Sequence, residues 1–348
     1  MGVTRRDVIE LGLAGMLMAA AGSANFADAT PVLTFGLSAL AIAVLARLVG
    51  TATEQLGSRV GSSAAGAIQS AFGNLPELFI ALFALHKGLT LVVQSALVGS
   101  VIANSVLVLG LAFIVGGLRN GTQTFDSPRA RLIATLTILA AAILSVPTLS
   151  HAVHTTAAFH EKSLSLICAA VLITLFFLTL PGLLAVRDTF EPEPARWSLP
   201  ITVTVLSGAG VGAAFVSDWF VTALKPATEA LGMSQVFAGL IVVAIAGNAV
   251  ENVVGVQLAA RNRPDFAISV IINSALQVAL LLTPVLVFAS LFFATTLTLV
   301  FPTLLAICLL LSAWILAVVV YDGESTWEEG AILVGFYVVV AASFWWGV

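Results

Sequence analysis

Charged side chains are scarce in this chain of 348 residues, in which Asp, Glu, Lys and Arg together make up 9%. Soluble domains carry about 25% charged residues, so this scarcity excludes an ordinary soluble globular protein. Hydrophobic residues account for 59% of the chain and the mean hydropathy is +1.09. Apolar runs of about 20 residues between charges are typical of membrane-spanning helices. The sequence therefore predicts an all-α polytopic membrane protein.

Cysteine and histidine are also rare, which limits the possible chemistry. Cys168 and Cys308 both lie inside predicted spans, without disulfide or metal-binding spacing. There is no H-E-x-x-H helix of an intramembrane metalloprotease. In the absence of a catalytic motif, we expect neither an enzyme nor a cofactor. The basic residues are scattered, so we expect no nucleic-acid partner either. One predicted outer loop contains a cluster of three histidines, His151, His154 and His160. This loop is either simply solvated, or it forms a metal-binding or pH-sensing site.

Apolar segments bounded by charges or turn-forming residues predict eleven spans. They cover residues 9–25, 30–52, 59–85, 90–118, 131–150, 163–186, 199–222, 233–260, 265–291, 294–320 and 328–346. With a cytoplasmic amino terminus, all eleven arginines fall at cytoplasmic ends and only three lysines lie outside. We therefore expect a plasma (inner) membrane protein with its carboxyl terminus outside. The T-R-R-D start resembles a twin-arginine signal, but residues 1–29 are predicted to be a permanent first transmembrane helix.

The two halves of the chain repeat one pattern. The T-E loop at residues 53–54 returns at 228–229, and G-N-x-x-E at 73–77 returns at 247–251. Residues 30–187 form repeat A and residues 199–348 form repeat B, each with five predicted helices, and the acidic cytoplasmic linker 188–198 separates them. An odd number of spans makes the second repeat enter from the opposite side. Inverted repeats are typical of secondary transporters, whose substrate site lies at the membrane midplane between the repeats.

Glu77 and Glu251 are the candidate ion-binding residues, because an ionisable side chain at membrane depth is costly and commonly functional. Asn74 and Asn248 each precede a glutamate by three positions and share its helix face. Pro76 is expected to kink its helix and to leave a backbone carbonyl without a donor. The supporting polar and backbone positions are Ser70, Phe72, Gly73, Gln94, Ser100, Asn104, Gly247, Asn273, Ser274 and Gln277.

Oxygen ligands alone, two of them carboxylates, favour a hard divalent cation, and Ca²⁺ before Mg²⁺. Two ionised glutamates in a site of low dielectric repel each other, and either one Ca²⁺ or two protons would neutralise them. If only a neutralised site can change its access, the protein exchanges Ca²⁺ for H⁺ and does not return empty. The alternative is that these polar groups simply hold helices together.

These residues resemble the calcium/proton exchangers of the calcium/cation antiporter superfamily. The resemblance covers about residues 11–348 and is densest in T-E-Q-L (53–56), G-N-L-P-E-L-F-I-A-L-F-A-L (73–85) and Q-S-A-L-V-G-S-V-I-A-N-S-V-L-V-L-G (94–110), with P-A-T-E-A-L-G (226–232) and G-N-A-V-E-N (247–252) in the second half. It implies a leading helix followed by two inverted five-helix repeats. It also implies that Glu77 and Glu251 bind cation and protons alternately, assisted by Asn74 and Asn248.

Two departures from the family pattern concern selectivity. Asn273-Ser274 stands where the family commonly has G-S. The proline before the first glutamate, Pro76, resembles the corresponding motif of the sodium/calcium branch. Asparagine at positions 74 and 248 favours the proton-coupled branch. We expect alternating-access Ca²⁺/H⁺ antiport, with Na⁺/Ca²⁺ exchange or Mn²⁺/H⁺ antiport as the alternatives.

Overall fold

The computed structural model describes residues 3–59, 72–185 and 195–347, which are almost entirely helical. In chain order, helices α1 to α12 are Arg5–Phe26, Pro31–Gly57, Leu75–His86, Thr90–Asn120, Ser127–Ala152, Glu161–Ala185, Leu199–Leu231, Gln235–Gly247, Ala249–Ala260, Pro264–Phe292, Thr303–Val319 and Trp327–Trp345. Two short strands, β1 (Gln123–Thr124) and β2 (Glu324–Ser325), pair antiparallel. The all-α membrane fold class is confirmed.

Eight of the described helices are long and apolar enough to cross a membrane, and the bent pair α8 and α9 would make nine. Helices α3 and α11 are apolar but shorter. The third predicted span, 59–85, is described only from Phe72 onward, because residues 60–71 lie outside the described part. The number of eleven spans therefore stays a prediction, because the described helices account for eight or nine of them.

Polar side chains define where several helices begin. Thr4 forms a capping box with Asp7 at the start of α1, and Thr326 forms one with Glu329 at the start of α12. Ser198 caps α7 by accepting a hydrogen bond from the backbone N–H of Ile201. A capping side chain satisfies N–H groups that the first helical turn leaves without partners. The boundaries at these three positions thus follow from local sequence.

The chain divides into two compact units, of which the first comprises Met1–Phe83, Leu175–Gly232 and Ala246–Val250. Its core is the antiparallel pair α2 and α7. The ring of Phe35, near the start of α2, stacks on Phe220, near the end of α7, with centroids 4.7 Å apart. Further along α2, Leu45 lies against Gly212. Glycine at this position lets a bulky leucine of the facing helix pack against the α7 backbone.

Trp197 anchors the start of α7 to the first two helices. Its side chain is 2% exposed, and its indole Nε1–H donates to Asp7 Oδ2 over 3.1 Å. Gln55 Oε1 accepts the backbone N–H groups of Arg196 and Trp197, and the Arg59 guanidinium donates to the Trp197 carbonyl. At the carboxyl end of the predicted linker 188–198, Trp197 is therefore buried, whereas Arg196 and Ser198 are exposed. Its residues 188–194 lie outside the described part.

The second unit comprises Ala84–Thr174, Met233–Ile245 and Glu251–Val348. Here the strand pair β1–β2 ties the loop after α4 to the loop before α12. Gln123 is 3% exposed, and its amide donates to the Ala259 carbonyl and to Asn262 Oδ1. One buried amide therefore joins this loop pair to the end of α9.

The predicted tenth span, 294–320, is wrong at its start, because α11 begins at Thr303. The preceding residues are not helical, and Leu297, Leu299 and Phe301 alternate as buried side chains along them. The N–H of Leu299 donates to Ser165 Oγ over 2.9 Å, and the N–H of Phe301 donates to Thr148 Oγ1 over 2.8 Å. Irregular backbone inside a membrane protein needs such partners, and the hydropathy of the segment gives no sign of them.

Candidate cation-binding site

The two G-N-x-x-E motifs both have a turn directly before the helix that carries the glutamate. Gly73 and Asn74 form a turn before α3, and Asn248 forms a turn between α8 and α9. Each new helix has 12 residues and carries its glutamate, Glu77 or Glu251, in the first turn. The N-terminal end of a helix favours negative charge because its N–H groups point outward along the axis. The turn therefore places each carboxylate at a position that stabilises it.

Pro76 does not lie inside a continuous helix, which corrects the expectation of a kink. It is the second residue of α3, where proline removes no helical hydrogen bond and its fixed φ favours helix initiation. The Asn74 carbonyl accepts the Leu78 N–H over 2.9 Å and so opens the helix. The second motif breaks without proline, and its two helical parts are bent by 63°. A turn before the glutamate-bearing helix is thus shared by both motifs, although their sequences differ.

The first unit brings residues of both motifs into contact. Glu77 is 2% exposed, and Asn74 and Asn248 are also buried. A methyl group at Gly247 would lie 3.2 Å from Glu77 Cβ and 3.4 Å from Glu77 Cγ. The backbone of the second motif therefore runs directly beside the glutamate of the first. Only glycine leaves this space.

The second unit contains Glu251 and the polar groups of α4 and α10. Glu251 is 9% exposed, Ser100 and Asn104 are fully buried, and Ser274 is 5% exposed. Asn104 Nδ2 donates a hydrogen bond to Ser274 Oγ over 3.1 Å. Residues from the two halves of the sequence meet here as well.

Wide π-helical turns accompany these polar residues. One covers Ala103–Val108 and contains Asn104, and another covers Val278–Leu282 directly after Gln277. Their first residues are separated by the same interval in sequence as Thr53 and Thr228 of the repeated T-E loops. Single π turns inside α-helices are frequent at functional sites, because they change which side chains face a cavity. No periodicity in the sequence points to them.

Gly99 and Gly239 are the residues that sequence reasoning missed. A methyl group on Gly99 would lie 2.4 Å from the Leu240 carbonyl oxygen, and one on Gly239 would lie 2.6 Å from the Val92 carbonyl oxygen. Helices α4 and α8 therefore cross with their backbones in contact, beside Ser100. Small residues commonly permit such crossings in membranes. The only signal in the sequence is the pair of glycines in apolar segments.

Several expected supporting residues have other partners. The Gln94 amide donates to the carbonyls of Thr298 and Val300, over 2.8 and 3.0 Å, so it holds the irregular segment before α11. Asn273 donates to the Ser269 carbonyl of its own helix over 2.8 Å. Gln277 is half-buried on α10. Ser70 lies outside the described residues.

In the histidine loop, His151 Nδ1 and Glu161 Oε1 lie within hydrogen-bonding distance, at 2.6 Å. Across residues 3–59, 72–185 and 195–347, no group of three or more His, Cys, Asp or Glu side chains could hold a metal. A divalent cation at Glu77 or Glu251 would therefore need amide, hydroxyl or backbone oxygens to complete its coordination.

Comparison with known proteins identifies the family of this chain. The family profile described as "Sodium/calcium exchanger protein" matches residues 30–184 and 201–346. The chain belongs to this family. The matched ranges include both G-N-x-x-E motifs, and the resemblance inferred from the sequence is confirmed.

Two curated relatives are transporters, and the similarity to this chain covers nearly their whole length. The Ca(2+)/H(+) antiporter ChaA of Bacillus subtilis is 36% identical over 321 residues, covering 89% of this chain and 91% of the relative. The Ca(2+)/H(+) antiporter of Synechocystis is 34% identical over 336 residues, covering 89% of this chain and 90% of the relative. These relatives are not enzymes, in agreement with the expectation.

Solved structures show the same fold. YfkE superposes with a TM-score of 0.84 at 31% identity, covering 97% of this chain and 99% of that one. The H+/Ca2+ exchanger CAX superposes with a TM-score of 0.79 at 18% identity, covering 99% of this chain and 93% of that one, and so supports the fold alone. The chain is thus an integral membrane protein with a transporter fold.

Proposed function

We propose that the protein is a secondary antiporter that exchanges Ca²⁺ for H⁺ by alternating access. The observation that carries the proposal is the contact between Gly247 of the second motif and Glu77 of the first. Glu251 follows Gly247 by four positions in the same motif. We infer that Glu77 and Glu251 bind one cation, with Asn74 and Asn248 adding neutral oxygens. The Ca(2+)/H(+) antiporters among the relatives support this choice of ions.

Charge neutralisation explains why exchange would be obligatory. Two buried ionised carboxylates without a counter-ion are unstable in a medium of low dielectric. Either Ca²⁺ or two protons removes that cost, so the loaded states can pass through the occluded conformation. An empty, doubly ionised site cannot. Ca²⁺ release on one side is then coupled to proton uptake on the same side.

The repeat organisation provides the two conformations. The family profile matches two ranges that lie close to the predicted repeats, 30–187 and 199–348. We propose that these repeats are inverted about the membrane plane, with residues 1–29 as a leading helix. An inverted pair can open alternately to the two sides around one site. In this arrangement the amino terminus is cytoplasmic and the carboxyl terminus is outside, in a plasma (inner) membrane.

Na⁺/Ca²⁺ exchange and Mn²⁺/H⁺ antiport are the alternatives, and one experiment separates the three. Purified protein is reconstituted in liposomes with an internal Ca²⁺ or Mn²⁺ dye, and either a proton or a sodium gradient is imposed. We expect Ca²⁺ uptake to follow the proton gradient. The interior of the liposomes should become more alkaline as protons leave in exchange for Ca²⁺. Ca²⁺ uptake that follows the sodium gradient alone would contradict proton coupling. Mn²⁺ uptake faster than Ca²⁺ uptake would identify Mn²⁺ as the preferred substrate.

Variants of the glutamates test the site itself. Glu77→Gln and Glu251→Gln each remove one charge at constant size, and both should abolish coupled Ca²⁺/H⁺ flux. Glu328→Gln is the matched control, because Glu328 is exposed in the first turn of α12. Full coupled transport by either site variant would refute a site formed by both glutamates.

A further inference from the structure

An apolar groove lies in the first unit, on the opposite face of the helix that carries Glu77. It has a volume of about 750 Å³ and is open along one side. One wall consists of Phe72 before α3 and of Leu75, Phe79 and Phe83 on α3. Leu75, Phe79 and Phe83 are spaced by one helical turn, and Glu77 lies about 160° to 200° around the helix from its neighbours in this row. The groove therefore adjoins the site helix without including its carboxylate.

The other wall is a row of residues along α7. Small residues at Ser207, Gly210 and Ala214 form its floor, and Leu206 and Asp218 mark its two ends. At about 1.5 Å per residue, the row extends for about 18 Å along the helix axis. Long, narrow and lined by aromatic and aliphatic carbon, this shape fits an extended hydrocarbon chain. A compact polar metabolite would lack hydrogen-bond partners along most of it.

The membrane setting identifies the source of such a chain. Helix α7 also presents large apolar side chains: Val211 and Phe215, which line the groove, are 57% and 60% exposed, and Val203 beside it is 48% exposed. Exposed apolar surface on a membrane-spanning helix contacts acyl chains or other helices. A groove open on this surface accepts a lipid tail without desolvating a polar group.

The headgroup preference follows from Asp218, the one charged residue among the described residues that line the groove. It is half-buried and lies seven positions before Lys225, and the apolar residues that follow it include Trp219, Phe220 and Val221. A carboxylate repels an anionic headgroup and attracts an ammonium group that can donate hydrogen bonds. Because a tail moves from one apolar environment to another, the tail contributes little selectivity, and the headgroup beside Asp218 decides it.

We propose that this groove is a phospholipid site that holds one acyl chain along α7 and a primary-amine headgroup, of the phosphatidylethanolamine class, beside Asp218. The bound chain packs on Phe79 and Phe83 and so contacts the back of the helix that carries Glu77. Lipid binding can be measured without transport, so this proposal and the proposed function can fail separately.

The test compares lipid retention in nanodiscs or micelles that contain equal amounts of phosphatidylethanolamine, phosphatidylcholine and phosphatidylglycerol with identical chains. Native mass spectrometry after partial delipidation counts each lipid that stays bound. The wild-type protein should retain phosphatidylethanolamine over phosphatidylglycerol by about fivefold, the ratio expected from one partly exposed ion pair. Equal retention of the three lipids, a preference for the anionic one, or retention of none would overturn the proposal.

Two variants and one control locate the lipid. Gly210→Phe places an aromatic ring in the groove, and a Cβ atom at this position meets no atom within 4 Å. Gly208→Phe is the control, because Gly208 has the same open space but does not line the groove. Gly210→Phe should lose the retained lipid and Gly208→Phe should keep it. Asp218→Asn should keep a lipid but lose the headgroup preference, and an unchanged preference would contradict the role of Asp218.

Discussion

Replacement of Gly247 by alanine tests the contact on which the proposed cation site depends. The new methyl group would lie 3.2 Å from Glu77 Cβ, 3.4 Å from Cγ and 3.6 Å from Cα. These atoms belong to the base of the side chain, so the glutamate cannot avoid the methyl by rotating its carboxyl end. Because no rotamer of Glu77 moves Cβ or Cα, α3 and the second motif must move slightly apart.

The size of the effect follows from overpacking. One extra methyl in a tightly packed position costs about 1 to 3 kcal/mol. If this cost falls on the Ca²⁺-bound form, the half-saturating Ca²⁺ concentration should rise by about 5- to 150-fold. Gly247→Val should raise it further, because it adds two more methyl groups at the same crowded position.

The assay is the initial rate of Ca²⁺ uptake in proteoliposomes under a constant proton gradient, as a function of Ca²⁺ concentration. Thermal unfolding of the same preparations separates a loss of affinity from a loss of fold. Gly335→Ala is the matched control, since Gly335 is exposed on α12 and a methyl there meets no atom within 4 Å. If Gly247→Ala and Gly335→Ala have the same Ca²⁺ dependence within twofold, the motif does not position Glu77.

Three further predictions concern buried hydrogen bonds that stabilise the fold. Gln94→Leu should lower the free energy of unfolding by about 1 to 3 kcal/mol, because two carbonyls lose their donor; thermal unfolding checks this against exposed Gln257→Leu, and equal melting temperatures would contradict it. The double-mutant cycle of Asn104→Ala and Ser274→Ala should give a coupling energy of about 0.6 kcal/mol in unfolding, whereas strict additivity would mean that the hydrogen bond contributes nothing. Trp197→Phe keeps an aromatic ring but removes the indole N–H, and it should cost about 1.5 to 3 kcal/mol because the acceptor is a carboxylate; an unchanged melting temperature would refute this.

Charge scarcity and repeat spacing are enough to indicate the membrane class, the approximate span positions and the two glutamates. Membrane insertion constrains sequence strongly, because every charge at membrane depth costs free energy and must be explained. The G-N-x-x-E motifs can be found for this reason. Their match in the family profile confirms the relationship that the motifs indicate.

The local backbone cannot be read in the same way. The apolar pattern predicts Pro76 inside a helix, whereas it begins one, and α9 starts after a break that contains no proline. Polarity favours Gln94 as a site residue, but its amide holds the carbonyls of Thr298 and Val300, more than 200 positions further along the chain. Hydropathy reports whether a segment prefers lipid and does not report which distant backbone needs a donor.

The membrane class, the duplicated motif and the two carboxylates follow from the linear chain, because each is a property of composition or spacing. Folding adds that Gly247 lies against Glu77, that Asn104 bonds Ser274, and that α4 and α8 cross at their glycines. These contacts join positions far apart in the chain, and their geometry depends on helix breaks and π turns that no local pattern encodes. Glu77 thus acquires its neighbour Gly247 through tertiary packing.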